Sequence, residues 1–284
     1  MRIATFSIVA RDEHTGALGV AVASKFLAVG AVVPYAEAGV GAVATQSYAN
    51  TTYGPRAMQI LSAGGSPAAV LEAFRRTDPE IGKRQFGLVT ASGESLTFTG
   101  DDCHPWAGGV SGPGYAIQGN LLTGPEVVAA MEEVWKREAN RPFPERLLAA
   151  LLAGDRAGGD RRGRQSAALF VVAEGKGYGG FNDRWIDLRV DDHQDPVPEL
   201  FRLYELHRLY FEPGEERELG QEELAFLEEL LLKTGDLKQR TGGFSPEFEG
   251  ALKALLGREN LEMRYRGGPR LDPAVLAYLK RRYA

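Results

Sequence analysis

Residues 5–25 read TFSIVARDEHTGALGVAVASK, and the fold turns on how this stretch doubles back on itself. Thr5 heads an apolar run, TFSIVAR. The polar segment DEHTG supplies a turn, and LGVAVAS returns to end at Lys25. Shifting such a pair by one residue moves every side chain of one strand to the opposite face. One register sets Asp12 opposite Ala17, the other Arg11 opposite Gly19. The second gathers Phe6, Ile8 and Ala10 with Ser24, Val22 and Val20 on a bulky face. Its lean face holds Thr5, Ser7, Val9 and Arg11 with Lys25, Ala23, Ala21 and Gly19. We expect this second register because it segregates side chains by size, and it places the Lys25 ammonium beside the Thr5 hydroxyl. A hydroxyl near the chain start with an amine returned to it suggests a nucleophile. A plain strand start beside a solvated strand end accounts for the same residues more simply.

The chain has 284 residues, enough for a full core and a second small module. Its 44% hydrophobic and 25% charged residues are those of a globular protein. A formal net charge of -5 gives no electrostatic reason to expect nucleic acid or an anionic membrane as partner. Cys103 is the one cysteine, which excludes an intrachain disulfide. The leader MRIA is too short and polar for a signal peptide and no apolar run reaches membrane-spanning length, so cytoplasmic residence is the expectation.

Beyond the hairpin, AVVPYAEAGVGAVATQ reads as further strand. Helical periodicity begins near Pro55 and resumes at SPAAVLEAFRRTD, where Ser66 is placed to cap and Pro67 to take the first helical position. RQFGLVTA and ESLTFTG form a hairpin over Ser92-Gly93, and a Gly/Pro/Trp-rich stretch, read as loop, leads to YAIQGN. PEVVAAMEEVWKREA and PFPERLLAALLAG are helical. SAALFVVA and RWIDLRV are strands, and another helix starts near Pro196. Strands in pairs, helices in pairs and strands again predict an α+β fold, a four-layer αββα sandwich over residues 1–212. Three amphipathic helices over residues 217–284 predict a small C-terminal all-α domain.

A Thr-led hairpin at the start of such a fold resembles the N-terminal nucleophile (Ntn) hydrolases, the class of the proteasome subunits and penicillin acylases. More closely, TFSIVARD, GALGVAVASKFLAVGAVVPYAEAGVGAVATQ, YGPRAMQIL, PWAGG, QGNLL and GDRRGRQSAALFVV are similar to a family of unknown function assigned to that class, from about Thr5 to Leu203. The resemblance implies an amidohydrolase acting on a small polar amide. Thr5 would be the nucleophile once residues 1–4 are removed, its freed amine the base, and Asn120 or nearby backbone the oxyanion donor. Ser7, on the same face, is the second nucleophile candidate, and Lys25 supplies electrostatic support. The chain departs from the class in two ways. Lys25 stands near where proteasome-like sequences carry an aspartate, and GVGAVATQ lacks the lysine they place there. No motif in the sequence implies a cofactor.

Other residues offer substrate contacts. Gln46, Ser47, Tyr48 and Asn50 cluster after a strand and suit a pocket wall, or equally a capped turn entering the next helix. Gln118, Gly119 and Asn120 follow a strand, where the Gly lets backbone approach a ligand and the Asn amide can donate to an oxyanion; a plain turn explains the same residues. Arg164, in the loop DRRGRQ, offers a fork for a carboxylate or phosphate; arginines tied to Asp155 or Asp160 are the simpler account of that loop. The acidic run from Asp183 to Asp195 lacks the spacing of a calcium loop, and we assign no metal. Cys103 reads as structural. LLLKTGDLKQRTGGFSPEFEGALKALLGRENLEMR and LDPAVLAYLKRR resemble a peptidoglycan-binding-like domain, so a glycan is a possible partner there. An oligomer contact explains the same apolar faces, and a homo-oligomer is the expectation.

Overall fold

The computed structural model describes residues 5–283; the leader read as removable lies outside them. β1 (Thr5–Arg11) and β2 (Leu18–Ser24) form the expected hairpin in the other register, with Thr5 opposite Ser24, Ser7 opposite Val22 and Arg11 opposite Leu18. Lys25 therefore lies beyond the pairing and not beside Thr5. The faces are balanced by volume and not sorted by size. Phe6, Ile8 and Ala10 sit opposite Ala23, Ala21 and Gly19. A Cβ on Gly19 would come within 2.7 Å of Leu147 Cδ1 and 3.1 Å of Phe143 Cε1, so the small partner leaves room for a covering helix. Close-packed interiors tolerate neither the gap nor the overlap that sorting by size would create.

The chain continues through β3 (Pro34–Glu37), β4 (Gly41–Ser47), α1 (Tyr53–Ser62), α2 (Pro67–Thr77), β5 (Arg84–Thr90) and β6 (Ser95–Thr99). Next come β7 (Gly108–Gly112), β8 (Tyr115–Asn120), α3 (Glu126–Arg137), α4 (Phe143–Arg156), β9 (Ser166–Val172), β10 (Arg184–Val190) and α5 (Pro196–Phe211). A six-stranded antiparallel sheet has the order β10-β9-β2-β1-β8-β7, and a four-stranded one β3-β4-β5-β6. Helices α3 and α4 pack on β1, β2, β8 and β9, while α1 and α2 pack on the four-stranded sheet. The sheets meet through β1 against β4 and β5, and β2 against β3 and β4. Val9, Val20, Val22, Ala42, Ala44, Val89 and Ala116 share one buried cluster at that junction. Tyr53, Phe74, Phe86 and Leu88 form another beneath α1 and α2.

Local signals act as their chemistry dictates. Ser66 Oγ accepts the Ala69 N–H at 3.3 Å and Pro67 opens α2. Gly93 takes φ 91° in the β5–β6 turn. The stretch read as loop before YAIQGN instead contains β7, an edge strand. Its glycines disguise it, because a Cβ on Gly109 would lie 2.6 Å from both Ile117 O and Thr97 Oγ1. Close backbone approach, not a turn, demands the glycine there.

The chain divides within α5, one compact unit running to Leu203 and the second starting at Tyr204. The second unit holds β11 (Arg217–Glu218), α6 (Gln221–Thr234), α7 (Pro246–Arg258), β12 (Arg270–Leu271) and α8 (Pro273–Tyr283). Leu227, Leu231, Phe248, Leu252, Leu255, Val275 and Leu279 fill its core. Among the described residues the protein is thus a mixed α/β chain of two antiparallel sheets, a short two-stranded ribbon and eight helices, with a helical C-terminal region.

Candidate functional site

Thr5 begins β1, while β2 ends at Ser24 and β8 at Asn120. Register places Ser24, Thr5 and Asn120 in one row at a single end of the larger sheet. In the smaller sheet Gln46, Gln85 and Thr99 form a matching row. Residues opposite one another share a face, and these two rows face each other across the sheet junction. Thr5, Ser7, Gln46, Gln85 and Gln118 are fully buried and Asn120 is 1% exposed.

The buried amides form a network whose polarity is fixed by main-chain carbonyls. Gln46 Nε2 donates to Thr5 O at 3.2 Å and Gln118 O at 3.3 Å, so Gln46 Oε1 is left to accept from Ser7 Oγ at 2.6 Å. Gln118 Nε2 donates to Ser7 Oγ at 2.7 Å and to Ser7 O at 3.3 Å. Gln85 Nε2 donates to Gly119 O at 2.7 Å and to Thr99 Oγ1 at 2.9 Å, which turns Gln85 Oε1 toward Gln46 Nε2 at 2.8 Å and Asn120 Nδ2 at 2.9 Å. A carbonyl can only accept, so no amide in the chain can be flipped without opposing two acceptors. Buried polar groups joined in this way specify one arrangement of the two sheets.

The Thr5 hydroxyl donates to Ser24 Oγ at 3.2 Å. Ser24 in turn lines a cavity of about 360 Å³ whose wall includes Phe6, Asp155, Asp160, Arg164 and Gln194. The wall charges are matched. Arg164 Nε binds Asp155 at 2.7 Å and its Nη1 binds Asp195 at 3.1 Å; the bond to Asp155 foremost holds the guanidinium pKa above its ordinary value. Asp160 receives Arg162 Nη2 at 2.9 Å and the Lys25 main-chain N–H at 2.8 Å. The simpler account of the arginine loop therefore holds, and Arg164 also borders the cavity.

Of the residues singled out from sequence, Thr5, Ser7, Gln46, Gln118 and Asn120 come together. Gly119 lies between the last two, its carbonyl receiving Gln85. Gln118, Gly119 and Asn120 are the final residues of β8 itself, not a turn beyond it. Lys25 is exposed, and its Nζ donates to Arg164 O at 3.1 Å. Ser47 closes β4 at φ 69°, and the Tyr48 hydroxyl pairs with His104 Nε2 at 3.1 Å. Asn50 serves the capped turn: its Oδ1 accepts the Thr52 N–H at 3.1 Å and its Nδ2 donates to Asp78 Oδ2 at 3.1 Å. Sequence reasoning missed Ser24 and Gln85. The register not chosen would have placed Ser24 against Thr5, while Gln85 looked like an ordinary polar residue at a strand entrance.

Asp78 ties down the segment after β4 through Asn50, Tyr53 and Arg84, and Arg84 Nη1 donates to Tyr48 O at 2.5 Å. Burial pushes the Asp78 carboxyl upward, but hydrogen bonds from Arg84, Asn50 and Tyr53 outweigh burial and hold it well below the usual carboxylate range. Stabilisation from a depressed carboxyl is complete above its unfolded pKa and fades as acid protonates the folded form. Asp78→Asn should cost about 3 kcal/mol at neutral pH, from breaking the buried pair with Arg84. In urea titrations at stepped pH the gap between variant and wild type should narrow below about pH 4; a gap independent of pH would contradict the assignment.

The acidic run is occupied by its own neighbours. Asp187 pairs with Arg184 and Arg189, Asp195 with Arg164, and Asp192 accepts from Gln165. Among the described residues no group of three His, Cys, Asp or Glu is placed to hold a metal ion. Cys103 is buried with its Sγ 3.4 Å from Arg84 O, and burial pushes the thiol pKa up, which suits packing and not nucleophilic attack.

Two antiparallel sheets with helices packed on them, and a polar site at their common end, define the class of fold. The chain belongs to the Family of unknown function DUF1028, whose family model matches residues 5–200. The crystal structure of protein SPO2555 from Silicibacter pomeroyi, titled as a DUF1028 protein, is similar at 31% sequence identity. The match has a TM-score of 0.66 and covers 72% of this chain and 86% of that one. Residues 209–279 match the family described as "Putative peptidoglycan binding domain". No curated protein matches the chain. Among the described residues no helix is long and apolar enough to cross a membrane.

Proposed function

We propose that the first unit is an Ntn-type amidohydrolase built as a four-layer αββα sandwich, with Thr5 as nucleophile after removal of residues 1–4 and a small polar amide as substrate. One observation carries this reading: the Thr5 hydroxyl sits 3.2 Å from Ser24 Oγ, and Ser24 is one of the residues that line the cavity. In the reaction Thr5 Oγ1 attacks the acyl carbon while the freed α-amine takes the hydroxyl proton. An alkoxide is inaccessible near neutrality without such a base. The second N–H of the Asn120 amide, or neighbouring main-chain N–H groups, hold the oxyanion. The protonated amine then passes its proton to the departing nitrogen, leaving an ester on Thr5 that water cleaves to release the acid. Ser7 is the weaker nucleophile candidate, since its hydroxyl is committed to Gln46 and Gln118 at 2.6 and 2.7 Å. Lys25 has no part in this scheme.

The test sets a chain beginning at Thr5 beside the intact chain in a screen of small amides and cyclic ureides. Turnover by the shortened chain alone supports the reading, and turnover by neither removes it.

The domain match over residues 209–279 favours a second reading, in which the C-terminal helices bind peptidoglycan glycan and the fold serves binding without catalysis. Co-sedimentation of the full chain with purified cell-wall sacculi tests it. A chain that stays in the supernatant counts against it.

A further inference from the structure

One acceptor in the amide network is left over. Asn120 is 1% exposed, its Nδ2 is turned toward Gln85 Oε1 at 2.9 Å, and its Oδ1 is buried with no hydrogen-bond partner among the described residues. The orientation is not free to change. Gln85 Nε2 is held by the carbonyls of Gly119 and Gly108, so Gln85 Oε1 faces Asn120, and a flipped Asn120 would set oxygen against oxygen. Buried acceptors without donors are rare in folded proteins, and each calls for an explanation.

Among the described residues the neighbouring main chain does not meet the need. Arg11 N donates to Gly114 O at 2.8 Å, and the two-residue period of β1 turns the nitrogens of Val9, Ser7 and Thr5 the same way, toward β8. The Thr5 nitrogen therefore faces the main-chain carbonyl of Asn120, its register partner, as antiparallel pairing requires. Its side-chain oxygen stays unserved. That oxygen lies on the same face as the Thr5 hydroxyl, in the row that runs from Ser24 at the cavity wall.

We infer that Asn120 Oδ1 is the site's specificity acceptor, receiving an N–H of the bound substrate, so that the substrate class is amides or ureides bearing hydrogen on nitrogen beside the attacked carbonyl. This rests on the hydrolase reading for the place of the substrate, with its carbonyl carbon at Thr5. A fully N-alkylated amide or an ester has no hydrogen to offer and leaves the acceptor buried and unpaired. Sites built around such a bond refuse the analogue that lacks it far more strongly than apolar pockets refuse a missing methyl.

The test uses the chain beginning at Thr5, with hydantoin and 1,3-dimethylhydantoin as probes and binding followed by NMR. Hydantoin should bind at least about tenfold more tightly and shift the Asn120 side-chain amide resonance, a tenfold preference being the scale of one hydrogen bond. Asn120→Leu, which removes the acceptor, should abolish the preference. Equal binding of the two probes, binding of neither, or a preference that survives Asn120→Leu overturns the inference. Should the leucine variant not fold, an Asn120 resonance that ignores hydantoin overturns it instead. The hydrolase reading fails separately: hydantoin preferred and bound but no amide turned over keeps the acceptor and removes the catalysis.

Discussion

Gly87→Ala should destabilise the first unit by about 4 kcal/mol, the sum of overpacking and of buried polar groups torn from their partners. A Cβ on Gly87 would stand 1.9 Å from Gln118 Oε1 and 2.6 Å from its Cδ. The Gln118 amide cannot swing aside cheaply, because Nε2 holds Ser7 Oγ at 2.7 Å and Oε1 receives Thr97 Oγ1 at 3.3 Å. Displacing it strands Ser7, and through Ser7 it disturbs Gln46. All three tryptophans, Trp106, Trp135 and Trp185, lie in the first unit, so tryptophan fluorescence in urea follows that unit alone. The double variant Gly87→Ala with Gln118→Ala should lose less than the two single changes summed, since each removes the other's clash or partner. A shift below about 0.5 kcal/mol for Gly87→Ala would mean the amide network is looser than its geometry implies.

The same residues mark how far sequence carries. The hairpin, the Ser66 cap and the helix periods were legible because each depends on neighbours a few positions away. Register was not, since the strands alternate in a way that satisfies two pairings, and what decides is Leu147 pressing on Gly19 from a helix more than a hundred residues distant. The Lys25 role fell with that choice. Thr5, Ser7, Gln46, Gln118 and Asn120 were picked out singly from strand ends and from the resemblance. That they interlock was invisible, because the joining atoms belong to Gln85 and to main-chain carbonyls, which leave no pattern in composition. Asn50 misled for a related reason: an Asn after a strand suits a pocket and an Asx turn equally. The edge strand β7 was lost to its glycines, which mark close approach as readily as a turn.

In chains beginning at residue 5, Thr5→Ala should lower hydrolysis of any amide found in the screen by on the order of 10³-fold or more, the scale of losing a nucleophile with its base left in place. Thr5→Ser should stay within about tenfold of wild type, because it keeps the hydroxyl and the amine and loses only a methyl group. The fold gives these variants a fair trial. Among the contacts described, the Thr5 hydroxyl makes its hydrogen bond to Ser24 at 3.2 Å, while the network that locks the sheets uses the Thr5 carbonyl, which alanine retains. Activity should also climb with pH through the range of an ordinary α-amine, about 7.7 to 8.0, since only the unprotonated amine can take the hydroxyl proton. An intact chain whose Thr5 nitrogen is an amide should show neither the activity nor that rise. If Thr5→Ala keeps a tenth of wild-type turnover, the hydroxyl is not the attacking group. Ser7, whose two short hydrogen bonds argue against it, would then have to be reconsidered through Ser7→Ala in the same assay.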